Sequence, residues 1–484
     1  MSKLGIPGNS LRPSLKGSTS KRLGLMSETS TWVRIPPTGL RNGRYLLLWG
    51  FLFAISAFHR DFAHLSVSVA GIPLFPGELT LGGLLVLEGA RMLRTRQIPV
   101  RVGASSGLWA LYLCVGLVFA LVGLARGFGL AALRDFALVY YVVLFFLVQS
   151  ILQAQEERAR LFASVAIGSV FGSTWTVISF LMTPRLSFEH GAGGFQALIA
   201  WLGLAYLAAN LAGPQGRRGA WRWAAMMPLV AVIYLSGFRT MVVVAAASLA
   251  VAAAWALLAR GPARAATRSL LVAGGGVCLA FAMTVAAARL TLGAPAPGSP
   301  DNGEVSLSQG LRVVTDRWAR AFIGGGEEAS LSFRLSAWTK AVARIRAQPW
   351  TGIGFGPAPA LYPDILCDRP TSLLSNCGNA HNTYLTLAMR MGLPAFALWA
   401  VASLWVTGGY FRATLARRAE EATVGAAAFL SVVLVSLLAY GFLNLFFESP
   451  YLSPYYWVTL GVMAESTRRL RGRDASGPGG RAGP

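Results

Sequence analysis

Long apolar stretches recur along the chain from Tyr45 almost to the C-terminus. A hydrocarbon core of about 30 Å is crossed by roughly 20 residues of α-helix, and most of these stretches approach or exceed that length. Backbone polar groups inside a bilayer must be paired within the chain, so the stretches are expected to be helices. The pattern predicts about twelve transmembrane helices, at residues 44–58, 77–93, 106–124, 134–152, 160–182, 193–211, 223–236, 239–259, 268–289, 383–411, 422–446 and 452–467.

Composition agrees with this interpretation. Of the 484 residues, 54% are hydrophobic and 13% are charged, and the mean hydropathy is +0.53. These values are too apolar for a soluble protein of this size. We therefore expect an all-α membrane protein with one large extracytoplasmic loop between helices 9 and 10. The expected organisation begins with a disordered basic N-terminus (1–43), followed by nine transmembrane helices (44–289). The loop with amphipathic helices (290–382) comes next, then three more transmembrane helices (383–467) and a disordered tail (468–484).

The formal net charge of +23 would suggest nucleic acid as a partner of a soluble protein. Among transmembrane helices it indicates topology instead, because Lys and Arg in short loops stay on the cytoplasmic side. Most of the 43 Lys and Arg residues lie before the first span, in alternate gaps between spans and after the last span. The pattern predicts a multi-pass protein of the bacterial inner membrane with both termini cytoplasmic. Segment 290–382 would face outward, into a periplasm in a Gram-negative cell, and no nucleic-acid partner is expected.

The N-terminus and the cysteines each leave a question open. No cleavable signal is expected, since the first apolar run begins near Tyr45 and further spans follow it, and Met26 is a second candidate start. Cys367 and Cys377 share the outward loop, where an oxidising compartment permits either a disulfide or two free thiols.

The outward loop contains two segments with helical periodicity, at 310–324 and 333–350. In the second, one face is apolar and the opposite face carries Lys340, Arg344 and Arg346. The apolar face consists of Leu335, Trp338, Val342 and Ile345. Such a helix suits a membrane surface, with Trp toward lipid and Arg toward the phosphates of an anionic lipid. The alternative is that the apolar face packs against protein.

A glycine motif, QPWTGIGFGPAP, follows the second amphipathic segment. Glycines at 352, 354 and 356 would allow backbone amides to approach a phosphate closely. The motif lacks the ending of a nucleotide-binding loop, so a tight structural turn is the favoured interpretation.

His381 stands at the outer start of the tenth span, which Asn382 or Thr383 would cap. The positive end of a helix dipole disfavours imidazolium and attracts phosphate. His381 is therefore a candidate general base, the alternative being a simple polar contact.

Two arginines strengthen this hypothesis. Arg239 lies in an outer turn bounded by apolar residues, where a charge is costly unless it has a partner, a function or a route to the head groups. Arg334 begins the second amphipathic helix, and two guanidinium groups could hold a pyrophosphate bidentately. Arg134 and Asp135, at the start of the fourth span, are interpreted as an interfacial anchor or an ion pair.

Taken in order, SGFRT, R-x-x-x-W, QPWTGIGFG and HN-x-Y-L followed by MGLP resemble the motifs of the O-antigen ligase and O-antigen polymerase superfamily. The resemblance implies a glycosyltransferase that moves a glycan from undecaprenyl pyrophosphate to an acceptor hydroxyl without nucleotide sugar, cofactor or metal. Acceptors in the family are lipid A core, another repeat unit or a protein hydroxyl. The pattern departs at Phe238, where the family often has a small Ser.

The resemblance also implies roles for residues. Arg239 and Arg334 would bind the donor pyrophosphate and His381 would be the catalytic base, with support from Asn382, Tyr384 and the three glycines of the motif. An O-antigen ligase of lipopolysaccharide biosynthesis is slightly preferred over a polymerase of O-antigen or exopolysaccharide repeats. From another class, a transporter or flippase for lipid-linked glycans remains open.

Overall fold

Helices dominate the part of the chain that the computed structural model describes. The described residues are 40–69, 72–96, 103–182, 194–210, 220–258, 261–291, 314, 329–357, 361, 380–416, 421–444, 446–447 and 449–475. All twelve predicted apolar segments lie largely within helices, so the predicted helical class holds for these residues. The cysteines Cys367 and Cys377 lie outside the described residues, as does segment 310–324 except for the buried Val314.

The first part of the chain forms seven helices and one short hairpin. The helices are α1 (Leu40–His64), α2 (Pro76–Thr95), α3 (Ala104–Ala125), α4 (Leu130–Asp135), α5 (Ala137–Tyr140), α6 (Val143–Ile151) and α7 (Gln155–Met182). Between α1 and α2, strand β1 (Val67–Val69) pairs antiparallel with β2 (Ile72–Leu74). This hairpin is a small exception to the predicted all-helical fold.

The remaining elements are eight helices within the described residues. They are α8 (Gly194–Ala209), α9 (Ala220–Leu235), α10 (Thr240–Leu258), α11 (Gly261–Thr291), α12 (Ala329–Ala347), α13 (Thr383–Ala416), α14 (Glu421–Leu443) and α15 (Ser453–Ala475).

Membrane-spanning capacity can be judged from helix length and apolarity. Within the described residues, α3, α7, α10 and α13 are long and apolar enough to cross a bilayer, as is Gly425–Leu443 of α14. A sixth span results if the bent pair Leu130–Tyr140 and Val143–Ile151 is counted as one. The protein is thus an α-helical multi-pass membrane protein, but the predicted number of about twelve spans is not confirmed.

Two helices are kinked and one predicted span is broken. The predicted span 134–152 is divided among α4, α5 and α6, with a bend of 44°. Helix α1 has a non-helical residue at His59, and α13 has one at Gly392, where φ is 80° and Pro394 follows. A break frees backbone carbonyls from helical pairing, so they can accept hydrogen bonds from elsewhere.

The core is organised around α8. Nearly every residue of α8 is buried, and α7, α9, α11 and α14 pack against it. By contrast α3 exposes Leu117, Val118 and Leu121, as expected of a helix that faces lipid on one side.

One end of the helices carries two ionic clusters. In the first, Glu88 of α2 is buried and pairs with Arg44 and, at 2.8 Å, with Arg91. In the second, the carboxylate of Glu465 in α15 pairs with Arg468 at 2.5 Å and Arg469 at 2.6 Å. The charge pattern predicts that this end is cytoplasmic.

Candidate functional site

The start of α13 is fixed by a side-chain cap. The Oδ1 atom of Asn382 accepts hydrogen bonds from the backbone N–H groups of Tyr384 and Leu385, each at 3.0 Å. These N–H groups have no partner within the helix, and Asn382 is itself buried. Of the two predicted caps, Asn382 is therefore the residue that fills this position.

His381 immediately precedes the cap. Its backbone φ is 47°, in the left-handed region that residues other than glycine seldom adopt. The imidazole is partly buried, and burial together with the positive charge of Arg334 lowers the pKa of His381 below its usual value. The ring is consequently neutral at neutral pH and can accept a proton.

Helix α12 brings Arg334 to this position by packing against α13. Trp338 lies one turn after Arg334, and its Nε1 atom donates to the carbonyl oxygen of Ala380 at 2.8 Å. The Trp338 ring also meets Phe442 edge-on, with 5.7 Å between ring centroids. Of the two interpretations of this apolar face, packing against protein describes Trp338, since its indole N–H finds its partner in the protein.

The buried positions of α12 differ in part from the predicted apolar face. Ala337 and Ala341 are buried against the start of α13, and Ile345 packs against the same small cluster. Leu335, predicted on the apolar face, is 49% exposed. Lys340, Arg344 and Arg346 are exposed as predicted. The helix thus covers protein with one face and presents basic side chains on the other.

Arg239 lies in the short connection between α9 and α10, with an exposed side chain. The next residue, Thr240, is linked to the start of α13 through Asn444. The Nδ2 atom of Asn444 donates to Oγ1 of Thr240 at 3.3 Å, and the carbonyl oxygen of Asn444 accepts from Oγ1 of Thr383 at 3.1 Å. This bridge ties the Arg239 turn to the helix that follows His381.

The large side chain of Phe238 packs between Tyr440 and Gly194. Its ring stacks on Tyr440, with centroids 6.2 Å apart, and lies directly against Gly194. A Cβ atom at Gly194 would overlap the Phe238 ring, so the glycine makes room for it. The departure from the family pattern at Phe238 is therefore accommodated by packing beside Arg239.

Tyr384 anchors the first turn of α13 to α14. Its hydroxyl donates to the carbonyl oxygen of Leu438 at 2.6 Å, and its ring lies 5.5 Å from that of Trp399. Its hydroxyl is thus used to hold the helix in place.

The three motif glycines form a turn that we call the glycine turn, residues 352–356. All three have positive φ, and a Cβ atom at Gly352 would lie 2.6 Å from the carbonyl oxygen of Arg390. The N–H groups of Ile353 and Gly354 donate to the carbonyl oxygens of Met389 and Arg390, at 2.8 and 2.9 Å. These amides bind protein acceptors, so the geometry is that of the structural turn and not of a phosphate cradle.

Asp135 forms an ion pair with Arg390 of α13, a partner that was not predicted from the sequence. Its Oδ2 atom lies 3.0 Å from Nη1 of Arg390, and both side chains are almost completely buried. Sequence reasoning gave no role to Arg390.

Residues 224–400 match the family described as O-antigen ligase. The predicted resemblance is therefore confirmed for this segment, which runs from α9 into α13 and contains Arg239, Arg334 and His381. A comparison with curated proteins gives no match.

The O-antigen ligase segment is less than half of the chain. Its family comprises membrane enzymes of the glycosyltransferase type, both ligases and polymerases, that act on lipid-linked glycans and glycan acceptors. Asp135 and Asn444 lie outside the segment. Neither was predicted to take part in the site, because each acts through contacts with residues more than 60 positions away.

Proposed function

We propose that the protein is an inner-membrane glycosyltransferase of lipopolysaccharide biosynthesis. It transfers a glycan from undecaprenyl pyrophosphate to an acceptor hydroxyl at the outer face of the membrane. We favour an O-antigen ligase, with lipid A core as the acceptor.

The observation that carries this proposal is the placement of Arg334 close enough to His381 for its charge to act on the imidazole. Both residues lie in the O-antigen ligase segment, and the Arg334 charge contributes to keeping the imidazole neutral. A general base must be unprotonated before it can act, whereas a group that binds an anion should be charged. The two side chains satisfy these opposite requirements at one place.

The reaction is a single displacement. The acceptor hydroxyl gives its proton to His381 while its oxygen forms a bond to the anomeric carbon. The bond from that carbon to the pyrophosphate oxygen breaks, and the electron pair leaves with undecaprenyl pyrophosphate. Attack from the opposite side inverts the configuration at the anomeric carbon.

Arg334 and Arg239 would stabilise the charge on the departing pyrophosphate. Guanidinium groups bind phosphate oxygens in pairs and stay charged over the whole physiological pH range. The Asn444 bridge supports a shared role for the two arginines, since it links the Arg239 turn to the start of α13.

The direct test is His381→Ala in the full-length protein, expressed in a strain that lacks the gene. Loss of a general base is expected to lower transfer by about 10²–10⁴-fold. The same variant is assayed in vesicles with an undecaprenyl-pyrophosphate-linked glycan and lipid A core. Lys340→Ala, which removes an exposed charge on α12, is the control and should retain transfer.

The surface polysaccharide of the strain identifies the acceptor. Lipid A core without O-antigen, together with accumulated long lipid-linked chains, indicates a ligase. Single-repeat products indicate a polymerase. Wild-type transfer by His381→Ala would exclude the catalytic role of His381. Absence of transfer by the wild-type protein in the vesicle assay would favour a transporter for lipid-linked glycans.

A further inference from the structure

A buried ion pair joins the first half of the chain to the O-antigen ligase segment. Asp135, at the end of α4, pairs with Arg390 of α13 at 3.0 Å, and their side chains are only 5% and 3% exposed. Removing two charges from water costs several kcal/mol for each ion, so such pairs contribute little net stability. Intramembrane ionisable residues are often retained for a role other than stability.

Both members of the pair also hold the glycine turn. The N–H group of Gly356 donates to Oδ2 of Asp135 at 2.8 Å. The Nη1 atom of Arg390 donates to the carbonyl oxygen of Gly356 at 2.7 Å. The end of the turn is thus fixed by one residue from α4 and one from α13.

The turn is anchored in the bundle by a side chain as well. Phe355 is buried in the main core, where its ring lies 5.7 Å from that of Phe119 in α3. A turn fixed by both a buried ring and a buried ion pair has little freedom to shift.

The glycine turn also connects the end of α12 to the kink in α13. Because α13 is non-helical at Gly392, the carbonyl oxygens of Met389 and Arg390 can accept from the turn. The N–H group of Leu393 donates to the carbonyl oxygen of Pro349 at 2.7 Å. These backbone bonds set how α12 lies along α13.

Arg334 is carried by α12 and His381 stands at the start of α13, so the relative position of the two helices sets the spacing of these side chains. We propose that Asp135 and Arg390 are positioning residues for the transfer reaction, acting through the glycine turn on the distance between the Arg334 guanidinium and the His381 imidazole. This inference rests on the proposed function. It assigns a role in the reaction to Asp135, outside residues 224–400.

The test replaces the pair by apolar residues of similar volume, Asp135→Leu with Arg390→Met. Removing both charges avoids the unpaired buried charge that a single substitution would leave. The matched control is Arg44→Met with Glu88→Leu, which removes the buried ion pair between α1 and α2. Both variants are made in the full-length protein, and their thermal stability is measured in the same detergent.

Two readouts are used. Histidine resonances of the isotope-labelled protein, assigned with His381→Gln, report the pKa of His381 without any need for activity. The KM for the lipid-linked donor reports pyrophosphate binding. In the Asp135/Arg390 variant the pKa of His381 should rise, because the Arg334 charge lies farther away, and KM should rise by about tenfold, since small displacements of binding groups are costly. The control variant should change neither.

An unchanged His381 titration and KM in the Asp135/Arg390 variant would overturn the inference, as would equal changes in both variants. If that variant does not accumulate in the membrane, Arg390→Lys is measured instead. It keeps the charge but replaces the guanidinium fork by one nitrogen, and a smaller rise in the pKa of His381 is expected; no rise would also overturn the inference. If the wild-type protein shows no glycan transfer, the proposed function fails, while the titration still decides whether the pair positions His381.

Discussion

The two ends of the helices differ in how their charges are arranged. At the end that holds Glu88 and Glu465, each carboxylate is buried and is paired with two arginines. At the other end Asp135 and Arg390 also form a buried pair, but the charge that acts on the His381 imidazole is the positive charge of Arg334, which disfavours protonation of the ring.

This difference separates a structural arrangement from one suited to chemistry. Charges that are paired with each other are not available to bind a ligand. A neutral imidazole next to a guanidinium group is poised to accept a proton near a site that attracts an anion, and perturbed pKa values of this kind are typical of functional sites. Changes at the two ends should therefore affect different measurements.

Among the changes that test this comparison, the largest effect is expected from Arg334, in two variants. Arg334→Gln removes the charge that lowers the pKa of His381, leaving only the effect of burial. Transfer requires neutral His381, so activity declines as pH falls through its pKa. Raising that pKa moves the decline to higher pH. The KM for the lipid-linked donor should also rise by about tenfold, since a hydrogen bond to a charged group contributes about 1.5–3 kcal/mol.

Arg334→Lys is the matched control for the pH effect. It keeps the positive charge, so the decline should stay near the wild-type pH, while KM rises because bidentate contact is lost. A pH profile of Arg334→Gln that superimposes on the wild-type profile would contradict the electrostatic link between the two residues.

A smaller effect is expected from Asn382→Ala. Loss of the cap leaves the N–H groups of Tyr384 and Leu385 unpaired and should destabilise α13 by about 0.5–2 kcal/mol. Because His381 precedes this turn, transfer should fall several-fold, and hydrogen exchange at Tyr384 and Leu385 should accelerate. Asn382→Asp, which keeps an oxygen acceptor, should restore most of the protection. Equal exchange in the alanine and aspartate variants would argue against the cap.

The smallest effect on activity is expected from Glu465→Gln. Its carboxylate is 1% exposed, whereas Arg468 and Arg469 are about 40% exposed, so solvent screens part of the interaction. The loss of stability should be about 1 kcal/mol. The thermal transition should fall by a few degrees, while kcat/KM remains that of the wild type. A change in the pH profile of transfer would show that the two ends are not independent.

Local features were predictable from the sequence. The cap by Asn382 follows from a polar residue placed just before an apolar run, and the helices follow from apolar length. The O-antigen ligase family was found from short motifs between SGFRT and MGLP. In each case the signal lies within a few neighbouring residues.

Contacts between distant residues were not predictable in this way. Periodicity placed Trp338 on the apolar face of α12, but it could not say that Trp338 would contact Ala380 and Phe442. Alternate glycines indicate that another group approaches the backbone closely. At Gly352 this group is the backbone of Arg390 and not a phosphate. The Asn444 bridge has no local signal at all.

The break between α5 and α6 was missed for a different reason. Residues 130–151 contain neither glycine nor proline, so the sequence carries none of the usual signals of a helix break. At the bend, the N–H groups of Val142, Leu144 and Phe145 donate to carbonyl oxygens three residues earlier, in place of the α-helical spacing of four.

The Asn444 bridge has a consequence for the order in which the protein is made. Asn444 is synthesised after Arg239, Arg334 and His381. When these three residues have left the ribosome, the residue that links Thr240 to Thr383 has not yet been added to the chain. A nascent chain ending at residue 416 would contain every proposed reactive group without this link between them. Assembly of the site is therefore completed only when α14 and the residues after it have joined the bundle.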